Sequence, residues 1–162
     1  MIDIFTTGGT IDKIYFDDKS DYEVGDPQIA ELLHDANLTL DFRVTSLLRK
    51  DSLEMTDDDR QQIRNAIEAS DAVGIVVTHG TDTMIETGRR LQGIAGKTIV
   101  LTGAMQPARF RSTDAIFNVA SAITAAQTLP PGVYIAMNGR IFDPLRLRKN
   151  VELNVFEEIG EG

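Results

Sequence analysis

Apolar positions in this chain fall in short, near-continuous runs, separated by longer stretches in which apolar and polar residues alternate. Ile2 to Thr6 predicts a short buried strand ending at Thr-Gly-Gly-Thr, where paired glycines let the backbone turn sharply. Asp12 to Asp26 is polar and aromatic and predicts a long loop or hairpin of the kind that serves as a lid. Pro27 then opens a helix over IAELLHDA with Asp26 as its N-cap, and Leu40 to Leu48 reads as a strand. Thr56 caps a further helix over DDRQQIRNAIEAS, whose aspartates complement the helix dipole. Ala72 to Val77 is apolar nearly throughout, as in a strand buried on both faces, and runs directly into Thr78-His-Gly-Thr-Asp-Thr. A helix over MIETGRRLQGIA, a strand from Lys97 to Thr102, an alanine-rich helix from Asp114 to Thr128 and a strand from Val133 to Met137 follow. The segment from Arg140 to Glu158 mixes basic residues with a final strand around Val151 to Phe156. Strands alternating with helices predict an α/β fold: a mostly parallel sheet flanked by helices on both faces, Rossmann-like or flavodoxin-like, as a single domain over residues 1–162.

Composition narrows the chemistry. A chain of 162 residues with 42% apolar content can bury a substantial core without staples. There is no cysteine, which removes thiolate catalysis and zinc–thiolate centres. The net charge of -9 repels phosphate backbones, so nucleic acid is not an expected partner. The same field gives no general attraction for anions, so any site for a zwitterion must be polarised locally. The start, MIDIFTTGGT, has no basic leader region, and no apolar stretch is long enough for a bilayer; the expectation is a cytoplasmic protein with no membrane partner.

In open α/β sheets, ligands bind beyond the carboxyl ends of the strands. Three strand ends here carry glycine-spaced polar segments: Thr6-Thr7-Gly8-Gly9-Thr10, Thr78-His79-Gly80-Thr81-Asp82-Thr83 and Thr102-Gly103-Ala104-Met105. Hydroxyls and free backbone amides gathered in one crevice are what amide hydrolysis requires: a nucleophile, a group to take its proton and donors for the tetrahedral oxygen. Gly-Gly-Thr alone is often only a steric turn, and a Thr-Asp pair at a helix start is often only a cap. The combination, in this order, is specific.

TTGGTID at the N-terminus, VVTHGTDTMIETG in the middle and LTGAMQP after the next strand together resemble the bacterial-type L-asparaginase/glutaminase family. The resemblance covers essentially all of the chain, but only the larger N-terminal domain of a typical member. It implies that Thr10 is the primary nucleophile and that Tyr22, in SDYEVG, is the loop tyrosine that polarises it. It also implies that Thr81 acts with Asp82 and with Lys149, which falls at the matched spacing in MNGRIFDPLRLRKN. Ser52, in KDSLEM, resembles the serine that holds the substrate α-carboxylate, and Asp82 the group that faces its ammonium. Gly9 and Gly80 let the backbone come close to the substrate. His79 reads as structural, His34 as a surface residue, and Met84 and Met105 as core.

The implied reaction is hydrolysis of L-asparagine to L-aspartate and ammonia by a threonine hydroxyl, with no cofactor and no metal. Because family members use a second, smaller domain to bind the substrate amine, and because Leu53 stands where they often carry glutamine, weak substrate binding and poor use of glutamine are expected. A homo-oligomer, a dimer or a tetramer, is expected as well. Two other functions fit the same motifs: an amidotransferase component that supplies ammonia to a partner, and a non-catalytic module that binds asparagine or aspartate.

Overall fold

The computed structural model describes residues 1–16 and 21–160; the tip of the loop expected between Asp12 and Asp26 (residues 17–20) and the last two residues lie outside them. Along the chain the elements are β1 (Ile2–Gly8), β2 (Lys13–Phe16), β3 (Asp21–Val24), α1 (Ile29–Asp35), β4 (Phe42–Lys50), α2 (Asp57–Ala69), β5 (Gly74–Thr78), α3 (Met84–Arg90), β6 (Thr98–Thr102), α4 (Ala115–Thr128), β7 (Gly132–Met137), β8 (Arg140–Phe142), β9 (Leu147–Asn150) and β10 (Val155–Glu158). Among the described residues the main sheet has the order β4-β1-β5-β6-β7-β8, parallel except for β8, which runs antiparallel to β7 at the edge. β2 pairs with β3, and β9 with β10, as separate two-stranded ribbons.

Every residue of β1, β5 and β6 is buried, which is why β5 and β6 read as nearly unbroken apolar runs, while β1 buries Asp3 as well. Successive side chains still alternate between faces. Phe5, Ile75, Val77, Ile99 and Leu101 point to the side covered by Ile63 and Ile67 of α2 and Met84 of α3. Ile4, Val76 and Val100 point to the side covered by Ile29 and Leu33 of α1 and by Val119, Ala122 and Ile123 of α4. Burying one such side chain contributes roughly 1.5–3 kcal/mol, so the two layers are what hold the sheet's carboxyl edge in place. The fold is therefore α/β, with a mostly parallel sheet and helices on both faces. No helix among the described residues is long and apolar enough to cross a membrane.

β1 lies between β4 and β5, so the chain turns to one side for its next main-sheet strand and to the other for the strands after it. This reversal of strand order falls at the carboxyl ends of β1 and β5, the position at which doubly wound sheets bind ligands.

Several boundaries differ from the expectation. The strand expected at Leu40 to Leu48 starts and ends later, at Phe42–Lys50, because its register is set by pairing Ile2 with Phe42. The first helix is capped at Gln28 without a side-chain bond; Asp26 instead pairs with Arg49 at 2.6 Å. Helix α3 stops at Arg90, and Gly93 then takes a left-handed φ of +82°, which the continuous apolar pattern of MIETGRRLQGIA conceals. The single strand expected around Val151 to Phe156 is a ribbon, β9 and β10, turning through Asn154 with φ +52°.

Candidate functional site at the carboxyl ends of β1 and β5

Two glycines bring the strand ends into contact. Gly9 has φ +89°, and a Cβ there would lie 2.5 Å from the N and Cα of Gly80. A Cβ on Gly80 would in turn lie 2.6 Å from the Cβ and Oγ of Ser52. Only glycine at positions 9 and 80 lets these turns approach so closely. The Gly9 amide donates to the Lys50 carbonyl (3.0 Å), which fixes the end of β4 beside the turn that carries Thr10. Thr10 and Thr81, each following one of these glycines, consequently stand on adjacent turns.

Ser52 opens a 3-10 turn whose shape is set by Asp51, the carboxylate of which accepts the Leu53 amide at 3.0 Å. That bond, with help from Lys13 and Lys149, holds the Asp51 carboxyl below the usual carboxylate range. Thr83 adds a second brace by donating to the Ser52 carbonyl at 2.8 Å. Ser52 is 1% exposed, and its hydroxyl has no hydrogen-bond partner among the described residues. A buried hydroxyl left unpaired is costly, and its position beside Gly80 makes it a donor awaiting an acceptor.

Lys149 arrives from the far end of the chain on β9. Its ammonium donates to Thr81 Oγ1 at 2.8 Å and pairs with Asp82 Oδ1 at 2.6 Å. The lysine side chain is largely buried, whereas Asp82 is half exposed toward the crevice. Thr81 is therefore held by a cation whose charge is balanced by the adjacent carboxylate, just before α3 begins at Met84.

Beneath this surface, His79 is completely buried. Arg60 Nε donates to Thr87 Oγ1 (3.2 Å), so the Thr87 hydroxyl hydrogen is directed to His79 Nε2 (2.8 Å) and the remaining ring N–H, on Nδ1, donates to the Gly80 carbonyl (2.7 Å). Burial drives the His79 pKa down to about 4, against the raising effect of the Gly80 bond, so the ring is neutral near pH 7. His79 bonds to backbone, as the sequence suggested, and pins the Gly80–Thr81 peptide from below.

Tyr22 lies on β3, directly across from Tyr15 on β2. Its ring packs against Tyr15 (5.2 Å between centroids) and Phe110 (6.1 Å) and is half exposed. Neither the Tyr22 nor the Thr10 hydroxyl has a hydrogen-bond partner among the described residues. The structure thus brings Gly9, Gly80 and Ser52 together, bonds Lys149 to Thr81 and Asp82, places Thr10 directly after Gly9, and bonds Tyr22 to none of them. Met84 is buried, Met105 packs at the edge of the core, and His34 is exposed.

Sequence reasoning missed Asp12, which is 2% exposed in the same turn as Thr10, and the bracing roles of Asp51 and Thr83. The Asp-Ser dipeptide at 51–52 is a recognisable turn-forming signal. Asp12 offered none, because its burial depends on residues 13 to 16 positions further along.

Fold and crevice together describe a doubly wound α/β domain with a threonine, lysine and aspartate cluster at its topological switch point. The chain belongs to the asparaginase family: residues 1–160 match the family model described as "Asparaginase, N-terminal". It is 32% identical over 161 residues to a glutamyl-tRNA(Gln) amidotransferase chain of Methanococcus vannielii, covering 89% of this chain and 35% of that protein. It is 36% identical over 121 residues to the L-asparaginase of Thermococcus kodakarensis, covering 70% of this chain and 37% of that one. Among solved structures it is similar to L-asparaginase I from Vibrio cholerae, with a TM-score of 0.85 at 28% identity, over 97% of this chain and 50% of that one. The chain spans little more than a third of these two curated relatives and half of the solved one.

Proposed function

We propose that this chain hydrolyses the side-chain amide of L-asparagine, with Thr10 as nucleophile. The observation that carries the reading is the Lys149 ammonium, 2.8 Å from Thr81 Oγ1 and 2.6 Å from Asp82 Oδ1, residues 68 and 67 positions away in the sequence. A structural lysine at the surface would have no reason to be buried against a threonine hydroxyl at the switch point of the sheet.

In this reading Ser52 Oγ donates to the substrate α-carboxylate, satisfying its own buried hydroxyl, and Asp82 faces the α-ammonium. Thr10 Oγ attacks the side-chain carbonyl. Backbone amides around Thr10 and Thr81 stabilise the tetrahedral oxygen, each donor contributing about 3 kcal/mol. The C–N bond breaks, the amide nitrogen takes the threonine proton and ammonia leaves, with the acyl group as an ester on Thr10. Water, oriented by Thr81, Asp82 and Lys149, adds to that ester, returns the hydroxyl to Thr10 and releases L-aspartate. Tyr22 stands on the hairpin that leaves the turn carrying Thr10, with its ring against Tyr15 and Phe110.

Ammonia release from L-asparagine, L-glutamine and a peptide-linked asparagine, compared between the wild type and Thr10→Ala, tests the reading. Release from asparagine that falls at least ~10³-fold in the variant is expected; binding of asparagine without release would overturn it. A second reading is favoured by the 32% identity to an amidotransferase chain: the same chemistry delivering ammonia to a partner protein. Robust turnover of free asparagine by the isolated protein would count against that alternative.

A further inference from the structure

We propose that Asp12 is a positioning residue that clamps both roots of the β2–β3 hairpin to the turn carrying Thr10, and so sets where Tyr22 sits. This deepens the reading above and rests on it for the roles of Thr10 and Tyr22.

Asp12 closes the 3-10 turn Thr10–Asp12, and its own amide donates to the Gly9 carbonyl at 3.1 Å. Its carbonyl accepts the Gly25 amide at 2.8 Å, which adds one rung below the last ladder pair, Lys13 with Val24. Its carboxylate accepts the Gln28 amide at 2.9 Å, at the residue that caps α1. One residue therefore ties the entry of the hairpin, its exit and the following helix to the nucleophile's turn.

Braces surround it. Gln28 Nε2 donates to the Asp26 carbonyl (2.6 Å), Arg109 donates to Gln28 Oε1 (2.7 Å), and Arg49 of β4 pairs with Asp26. Ile14 packs so closely on Gly25 that a Cβ there would lie 2.9 Å from its Cδ1, leaving no slack at the hairpin root. A buried carboxyl in this place is electrostatically unfavourable: burial raises the Asp12 pKa to about 6, against the lowering effects of the Gln28 amide and Arg49.

The lever explains why the clamp matters. Tyr22 stands three rungs above the Asp12–Gly25 pair, about 10 Å away at 3.3 Å per residue. A tilt of about 10° at the root would carry Tyr22 nearly 2 Å, and a displacement of about 1 Å in a reacting arrangement can cost on the order of 10²-fold in rate.

The test compares Asp12→Ala with Asp12→Asn, reading hydrogen exchange of backbone amides 13–16 and 21–25 alongside kcat and KM for asparagine. Asp12→Ala removes the carboxylate that accepts the Gln28 amide and leaves the backbone bonds to Gly9 and Gly25; it is expected to speed exchange at least tenfold and lower kcat at least tenfold, with KM changed less than threefold. Asp12→Asn keeps an acceptor oxygen and is expected to restore both. A folded Asp12→Ala protein with unchanged exchange, or an Asp12→Asn protein as impaired as the alanine variant, would overturn the proposal. Should Asp12→Ala fail to fold, Gln28→Pro against Gln28→Ala makes the same comparison: proline deletes only the amide donor that alanine retains. Faster exchange in the proline variant alone supports the clamp, and equal exchange in the two rejects it. Exchange reads the clamp even in a protein that releases no ammonia, so a failure of the proposed activity stays distinguishable from a failure of the clamp.

Discussion

Two buried ionisable side chains pull the pH dependence of stability in opposite directions. Asp12 titrates near 6 in the folded chain, above its ordinary value of 3.8, so folding is penalised above pH 6 and relieved as pH falls toward 4. His79 titrates near 4, below its ordinary 6.5, so its contribution is full above 6.5 and lost as pH falls through that range. Each is on the order of 3 kcal/mol, and between pH 6.5 and 4 they offset one another. Asp12→Asn removes only the first. Urea denaturation is expected to show the variant more stable than wild type at pH 7.5 by roughly 2–3 kcal/mol, with the advantage shrinking toward pH 4. An equal or lower stability at pH 7.5 would contradict the burial of an ionised Asp12. Neither residue announced this in the sequence: an aspartate in a polar stretch and a histidine beside a glycine look alike whether buried or exposed. Thr10 and Thr81 stood out because glycines and strand ends surround them, whereas Ser52, in KDSLEM, and Lys149, in a run of basic residues, were singled out only by resemblance.

At the scale of elements, the strongest signals were those with local physical causes. Helix α2 begins as expected: Thr56 Oγ1 accepts the Asp59 amide at 3.2 Å while Asp59 accepts the Thr56 amide at 2.8 Å, and Lys50 pairs with the same carboxylate at 2.8 Å. Thr56→Ala is expected to cost about 1 kcal/mol in thermal or urea unfolding, with no change in substrate affinity. The three fully buried strands were equally legible, since burial on both faces leaves a mostly apolar run, broken in β1 by Asp3. What the sequence concealed were endings set by tertiary contacts: the later register of β4, the early stop of α3 and the β9–β10 ribbon. That ribbon has a functional consequence, because it is the element that presents Lys149 to Asp82. Shortening it is expected to abolish turnover before it unfolds the domain, a difference that activity and circular dichroism measured on one sample would reveal.

For the molecule as a whole, the crevice at the sheet's carboxyl edge carries its own local polarity within a chain of net charge -9. In the proposed reading Asp82 faces the substrate ammonium and Ser52 its carboxylate, while Leu53, next to Ser52, is 72% exposed. With so few partners for a zwitterion, we propose that this chain binds asparagine weakly, with a KM near or above about 1 mM, and that Leu53→Gln lowers that KM. A micromolar KM for the unaltered protein would refute this. We also propose that the protein self-associates, which light scattering at micromolar concentration would test by showing a dimer or tetramer rather than a monomer alone.

The proposed activity depends on the bonded set of Lys149, Thr81 and Asp82 performing chemistry rather than merely closing the crevice. Lys149→Met keeps the buried stem and removes the ammonium, so the kcat of that variant at saturating asparagine separates the two roles. A fall of at least ~10²-fold in a protein that remains folded is expected; a folded variant with kcat within a few-fold of wild type would reduce the set to a structural latch.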